Sequence, residues 1–191
     1  MYGGLAHRLP GAALSRIALV WPDPSLSAFR RTDHGHFFNA CFPSPFNFGT
    51  FPECRVDAKT GKITLHETPT KASGPRRAIM DAQDRLWFAQ YRGNKIGVFD
   101  TKTEKFQEWP MTTPRSQPYD VALDKNGDVW TGSMLNDRVV RLDPKTGKTV
   151  DYLLPRSTNI RRVYVDNTTA TPTFWVGSNH GASIIKLEPL E

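Results

Sequence analysis

Val56-Asp57-Ala58-Lys59-Thr60-Gly61-Lys62 recurs as Phe99-Asp100-Thr101-Lys102-Thr103-Glu104-Lys105 and again as Leu142-Asp143-Pro144-Lys145-Thr146-Gly147-Lys148, 43 residues apart each time. A fixed internal period outranks any local reading of helix or strand, because it makes the repeat the unit of folding. Two more markers keep the same phase. Leu86-Trp87-Phe88, Val129-Trp130-Thr131 and Phe174-Trp175-Val176 form the first. Asp81, Asp124 and Asp166, each just ahead of a turn-forming pair, form the second. The last unit has gained two residues, placed here between Thr168 and Thr173.

Each unit holds four short segments of strand character separated by turn residues, as in 77–81, 86–91, 95–100 and 106–109. β-Branched and aromatic residues fill them, which argues against helical repeats of similar length. Four antiparallel strands and one tryptophan in about 43 residues describe a propeller blade, a sheet that buries both faces only by stacking on its neighbours. The tryptophans fall in mid-strand and are expected to pack between blades. Residues 54–67 supply only the last two strands of a blade, 76–109 and 119–153 two full blades, and 161–188 three strands. The expected fold is therefore all-β, a partial β-propeller of about three four-stranded blades forming an open arc.

Residues 1–53 read as a different kind of chain. They contain no lysine, seven of the eleven Phe and six of the fifteen Pro. Pro22-Asp23-Pro24 and Pro43-Ser44-Pro45 interrupt any regular element. An irregular, poorly ordered N-terminal segment, non-native in one alternative reading, is expected over 1–53, ahead of propeller blades over 54–191. Its apolar run, Gly11 to Trp21, is too short to cross a membrane, and Arg16 within it and the lack of a clean small-residue cleavage site make it a poor signal peptide. No membrane span is expected, and the compartment stays open. His34 and His36 have no third ligand nearby and are read as loop histidines. Cys41 and Cys54 fit neither a disulfide framework nor a metal pattern. The net charge of +6 is spread along the chain. It favours an anionic small molecule over nucleic acid, since no aromatics interleave with the lysines.

Gly74-Pro75 followed by Leu86-Trp87-Phe88-Ala89-Gln90-Tyr91-Arg92-Gly93-Asn94-Lys95-Ile96-Gly97-Val98-Phe99-Asp100 resembles the blade consensus of the streptogramin (virginiamycin B) lyase family. The resemblance covers about residues 54–191. It implies a seven-bladed propeller that opens a cyclic depsipeptide lactone by Mg²⁺-assisted elimination. A histidine in the Gly-Pro-His turn would serve as base, and a glutamate after Trp-Phe-Thr would help hold the metal. Here Arg76 stands at the turn-histidine position, with Tyr119 and Arg161 in phase. Gln90 stands at the glutamate position, with Ser133 and Ser178 in phase. Arginine keeps its proton at neutral pH, and Gln or Ser removes the charge a metal wants. No metal site and no cofactor are expected, Mg²⁺ entering only if the lyase reading holds.

The innermost strands start near Arg76-Arg77, Tyr119-Asp120 and Arg161-Arg162, which predicts an arginine-rich ring at one end of the channel. Arg76, Arg77, Gln90, Tyr119, Asp120, Arg161 and Arg162 are the candidate ligand contacts, suited to a carboxylate, phosphate or sulfate group. His180 is a further candidate for a catalytic base, against its reading as an ordinary turn histidine. The sequence thus favours a ligand-binding or interaction module lacking the lyase groups. A carbon-oxygen lyase and a truncated, non-functional propeller are the alternatives. An open arc also predicts self-association, with Val56, Ile63, Leu65, Ile184, Ile185 and Leu187 in the joined surface.

Overall fold

The structure, a computed structural model, describes residues 30–31, 36–40, 53–57 and 60–190. They form antiparallel sheets taken up in chain order. The first sheet contains β1 (Arg30–Arg31), β2 (His36–Ala40), β3 (Glu53–Asp57) and β4 (Ile63–His66). The second contains β5 (Pro75–Met80), β6 (Arg85–Gln90), β7 (Lys95–Asp100) and β8 (Lys105–Pro110). The third contains β9 (Pro118–Leu123), β10 (Val129–Ser133), β11 (Arg138–Leu142) and β12 (Thr149–Leu153). The fourth has three strands, β13 (Ile160–Asp166), β14 (Thr173–Ser178) and β15 (Ser183–Leu187). Among the described residues there is no helix, and so none long and apolar enough to cross a membrane.

The open all-β arc read from the repeat is what forms, with strand limits within about two residues of those expected. One expectation is corrected. Residues 54–67 are not a half blade, because β2 pairs with β3 and β1 with β2, completing a four-stranded sheet from within 1–53. The remainder of 1–53, including the stretch read as irregular, lies outside the described residues, as does His34.

The recurring turn motif closes the hairpin between the third and fourth strands of a sheet. Asp100 Oδ1 accepts the N–H groups of Lys102 and Thr103, and Asp143 Oδ1 those of Lys145 and Thr146. Gly61, Glu104 and Gly147 then take positive φ at one repeat position, which glycine adopts without cost. The in-phase aspartates act at the other hairpin. Asp81 Oδ2 accepts the Trp87 indole N–H at 2.9 Å while Oδ1 accepts two backbone N–H groups of its turn. Asp124 does the same for Trp130, at 2.8 Å. In the fourth sheet the insertion breaks the latch, and Asp166 bonds to Thr168 instead.

Held this way, each tryptophan lies against the following sheet. Trp87 packs with Val121, Val129, Val140 and Leu142 of the third sheet, and Trp130 with Ile160, Val165, Phe174 and Val176 of the fourth. Both indoles are 1% exposed. The first strands β5, β9 and β13 lie side by side, so the sheets radiate from a common edge. Trp175 has no following sheet among the described residues. It is half-buried under Lys186, beside Tyr164 at 63% and Ile184 at 78% exposure.

Gly132 shows how tight a closed joint is. A Cβ there would lie 2.8 Å from Ile160 Cβ and nearer still to Cγ2, whereas one on the in-phase Gly177 meets nothing. Gly132→Ala is therefore expected to cost about 1–3 kcal/mol through overpacking. Gly177→Ala should stay within about 0.5 kcal/mol of the parent. Urea unfolding of the two variants checks the contrast.

Candidate functional site

Strands β5, β9 and β13 each open with the same irregularity. Between Pro75 and Ala78 the register against β6 slips by one residue, as it does between Pro118 and Val121 against β10 and between Ile160 and Arg162 against β14. A bulge puts an extra residue on one strand and re-aims its side chains. The residues carried by the three bulges are Arg76-Arg77, Tyr119-Asp120 and Arg161, and all lie at the leading ends of their first strands.

Backbone ties hold the bulges in place. Tyr91 N donates to Gly74 O and Arg92 N to Ser73 O, Met134 N donates to Ser116 O, and Asn179 N donates to Asn159 O. The loop into β9 is strained. Gln117 has a φ of 52° at the position Gly74 holds one repeat earlier, and its N–H donates to Asn94 Oδ1 of the second sheet. A non-glycine residue in the left-handed region costs of order 1 kcal/mol, and such residues persist where surroundings enforce them.

The Arg76 guanidinium lies 5.1 Å from the Tyr91 ring centroid and 5.7 Å from that of Tyr119, while Arg77 lies 6.0 Å from Tyr119. The two tyrosines meet edge to face at 6.3 Å. A guanidinium stacked on a ring face is attracted by the ring and keeps its N–H edge for hydrogen bonding in the plane. Arg77 Nε is buried and has no hydrogen-bond partner among the described residues.

Asp120 completes the group and is 8% exposed. Its Oδ1 accepts the Val121 N–H at 3.1 Å, and its Oδ2 accepts the Val163 N–H of β13 at 3.3 Å. Burial pushes its carboxyl above the usual carboxylate range, against the Val163 hydrogen bond and the charges of Arg77 and Arg162. Asp120 thus ties β9 to β13 within the field of Arg77 and Arg162.

The structure therefore brings Arg76, Arg77, Tyr119 and Asp120 together and sets the charge of Arg162 against Asp120. Arg161 is exposed and donates from Nε to Asn159 Oδ1. His180 is exposed in the turn between β14 and β15, at the same end of its sheet. Gln90 is not placed for a ligand. It is fully buried, and its amide donates to Glu108 Oε1, which also receives the Thr70 N–H while Glu108 Oε2 receives Lys95 Nζ. The in-phase Ser133 and Ser178 turn inward as well. Their hydroxyl oxygens accept turn N–H groups, those of Leu135 and Asn136 and that of Gly181. Tyr91 is the contact that the repeat did not disclose. Its only sequence signal is a tyrosine just past the second strand, in phase with Met134 and Asn179.

Fold and site define a β-propeller arc that presents cationic and aromatic side chains from its innermost strands. The profile of the virginiamycin B lyase family matches residues 54–189, and the chain belongs to that family. Virginiamycin B lyase from Staphylococcus aureus is similar at 22% identity with a TM-score of 0.65, over 84% of this chain and 54% of its own. A catalytically inactive variant of that enzyme with quinupristin matches to the same degree. A streptogramin B lyase structure matches at 22% identity and a TM-score of 0.68, over 90% of this chain and 57% of its own. The chain thus spans about half the length of these lyases. No curated protein matches it by sequence.

Proposed function

We propose that these blades form a binding module of the virginiamycin B lyase family that takes a carboxylate, phosphate or sulfate group at the edge shared by β5, β9 and β13. The observation that carries this reading is the stacking of Arg76 and Arg77 on Tyr119, with Tyr91 beneath Arg76. A guanidinium fixed in plane by an aromatic ring loses little freedom when it closes on an anion, and the buried Nε of Arg77 has no hydrogen-bond partner among the described residues. The net charge of +6 adds a favourable field.

The lyase alternative asks for a metal and a base. Among the described residues no three His, Cys, Asp or Glu side chains stand together as a metal site. Gln90, at the position the family resemblance gives to a metal-binding glutamate, spends its amide on Glu108. These residues do not fit a divalent cation, and Arg76 cannot accept a proton. In this reading the blades bind, and the metal that the elimination needs has no ligand set among the described residues. Titration of the full chain with sulfate and with benzoate by calorimetry tests the proposal. Arg76→Ala and Arg77→Ala are each expected to weaken binding about fivefold to tenfold, and the Gly177→Ala protein should match the parent. Affinity untouched by either arginine substitution would overturn the reading.

A second proposal concerns association. Trp175 stands where Trp87 and Trp130 each cover a following sheet, and Ile63 and Leu65 of the first sheet are exposed on the outer side of β4. Open faces of opposite type at the two ends support head-to-tail pairing of two copies. Ile185 and Leu187, expected in such a surface, pack back onto the core shared with the third sheet. The face instead comprises Tyr164, Trp175 and Ile184. The Val56 side chain lies outside the described residues. Light scattering should give a dimer mass that falls to monomer in Ile184→Asp, while a monomeric parent would refute the pairing.

A further inference from the structure

We propose that Asp120 is a built-in competitor for the guanidiniums of the anion site, so that the site takes an anion chiefly when Asp120 carries a proton. This rests on the anion-binding reading above and adds its regulation. The geometry comes first. Asp120 sits on the β9 bulge beside Tyr119, whose ring lies under both Arg76 and Arg77. Its Oδ2 crosses to the Val163 N–H on β13, which fixes the carboxyl between β9 and the strand that carries Arg162. The charges of Arg77 on β5 and Arg162 on β13 both act on it.

An ionised Asp120 therefore spends on itself the positive field that an incoming sulfate or carboxylate would use. At 8% exposure that field is only weakly screened by water. Each oxygen accepts one backbone N–H, from Val121 or Val163, and a protonated carboxyl keeps an acceptor for one of these while losing its charge. Arginine remains charged throughout, so protonation changes the sum of charge at the site by a full unit in favour of anions.

The direction of pH dependence follows. Burial raises the Asp120 carboxyl above its usual range, so protonation begins at milder acidity than for a solvated aspartate. The charges that act on Asp120 are those of Arg77 from β5 and Arg162 from β13, while Arg76 and Tyr91 stand with Tyr119, and Arg161 and His180 lie at the same end of the fourth sheet. Arginines and tyrosines do not titrate in the acid range. His180 lies in the turn at the same end, so its contribution is separated by substitution.

Sulfate is the probe, because its charge is constant between pH 4.5 and 8. Calorimetry on the full chain should show affinity rising on the order of tenfold as pH falls from 7.5 to 4.5, about one pKa unit of coupling. Asp120→Asn should bind sulfate at pH 7.5 more tightly than the parent does at that pH, with less than about twofold remaining slope. His180→Gln should keep the parental slope. Should Asp120→Asn melt early, Asp120→Ser, which retains an acceptor for the Val121 N–H, takes its place. A parental slope surviving in the Asp120 variants, or vanishing in His180→Gln, would overturn the proposal. Binding that weakens on Arg77→Ala yet ignores pH would also overturn it and leave the anion site standing. No sulfate binding by parent or variants at any pH would remove both.

Discussion

Trp130 of the third sheet lies face to face with Phe174 of the fourth, ring centroids 5.1 Å apart, and both are buried to within 1% of complete exclusion from solvent. A blade has two apolar faces and too few residues to cover either, so its stability is borrowed from the sheet beyond. The aspartate latch on each indole matters for this reason. Asp81 and Asp124 satisfy the one polar atom of a buried tryptophan and fix the ring where the next sheet must meet it. Where the latch is broken, at Asp166, the in-phase tryptophan is left half-buried.

The same joint places the candidate site. Because the sheets meet along their first strands, whatever those strands carry at their leading ends is gathered at one edge. Bulges at equivalent places then present two successive residues where regular pleating would present one. Arg76 and Arg77 both reach Tyr119 on these terms, and Asp120 is drawn between β9 and β13. The chain keeps the family's framework while putting arginine and tyrosine where the resemblance implies histidine.

What was legible in the sequence was whatever the 43-residue period carries: the strands, the turns, the packing role of Trp87 and Trp130, and the gathering of Arg76, Tyr119 and Arg161 at one end. β1 and β2 escaped because a pair of arginines and a five-residue strand among prolines show no alternation of their own, and their pairing is set by β3. Gln90 was misjudged for a geometric reason. Repeat phase gives its height along the blade, but which way its side chain turns depends on the bulge opposite and on Glu108, eighteen residues on. Tyr91 and the burial of Asp120 were beyond reach for a similar reason, since both depend on how neighbouring sheets meet.

The central claim is that the arc is held by aromatic contact across the joints, with the site a consequence of that contact. A double-mutant cycle on Trp130→Leu and Phe174→Leu, read by urea unfolding, tests it most directly. These side chains sit on different sheets and meet only across the joint. The account predicts a coupling energy of about 0.5–1.5 kcal/mol between them. Additivity within about 0.3 kcal/mol would contradict it.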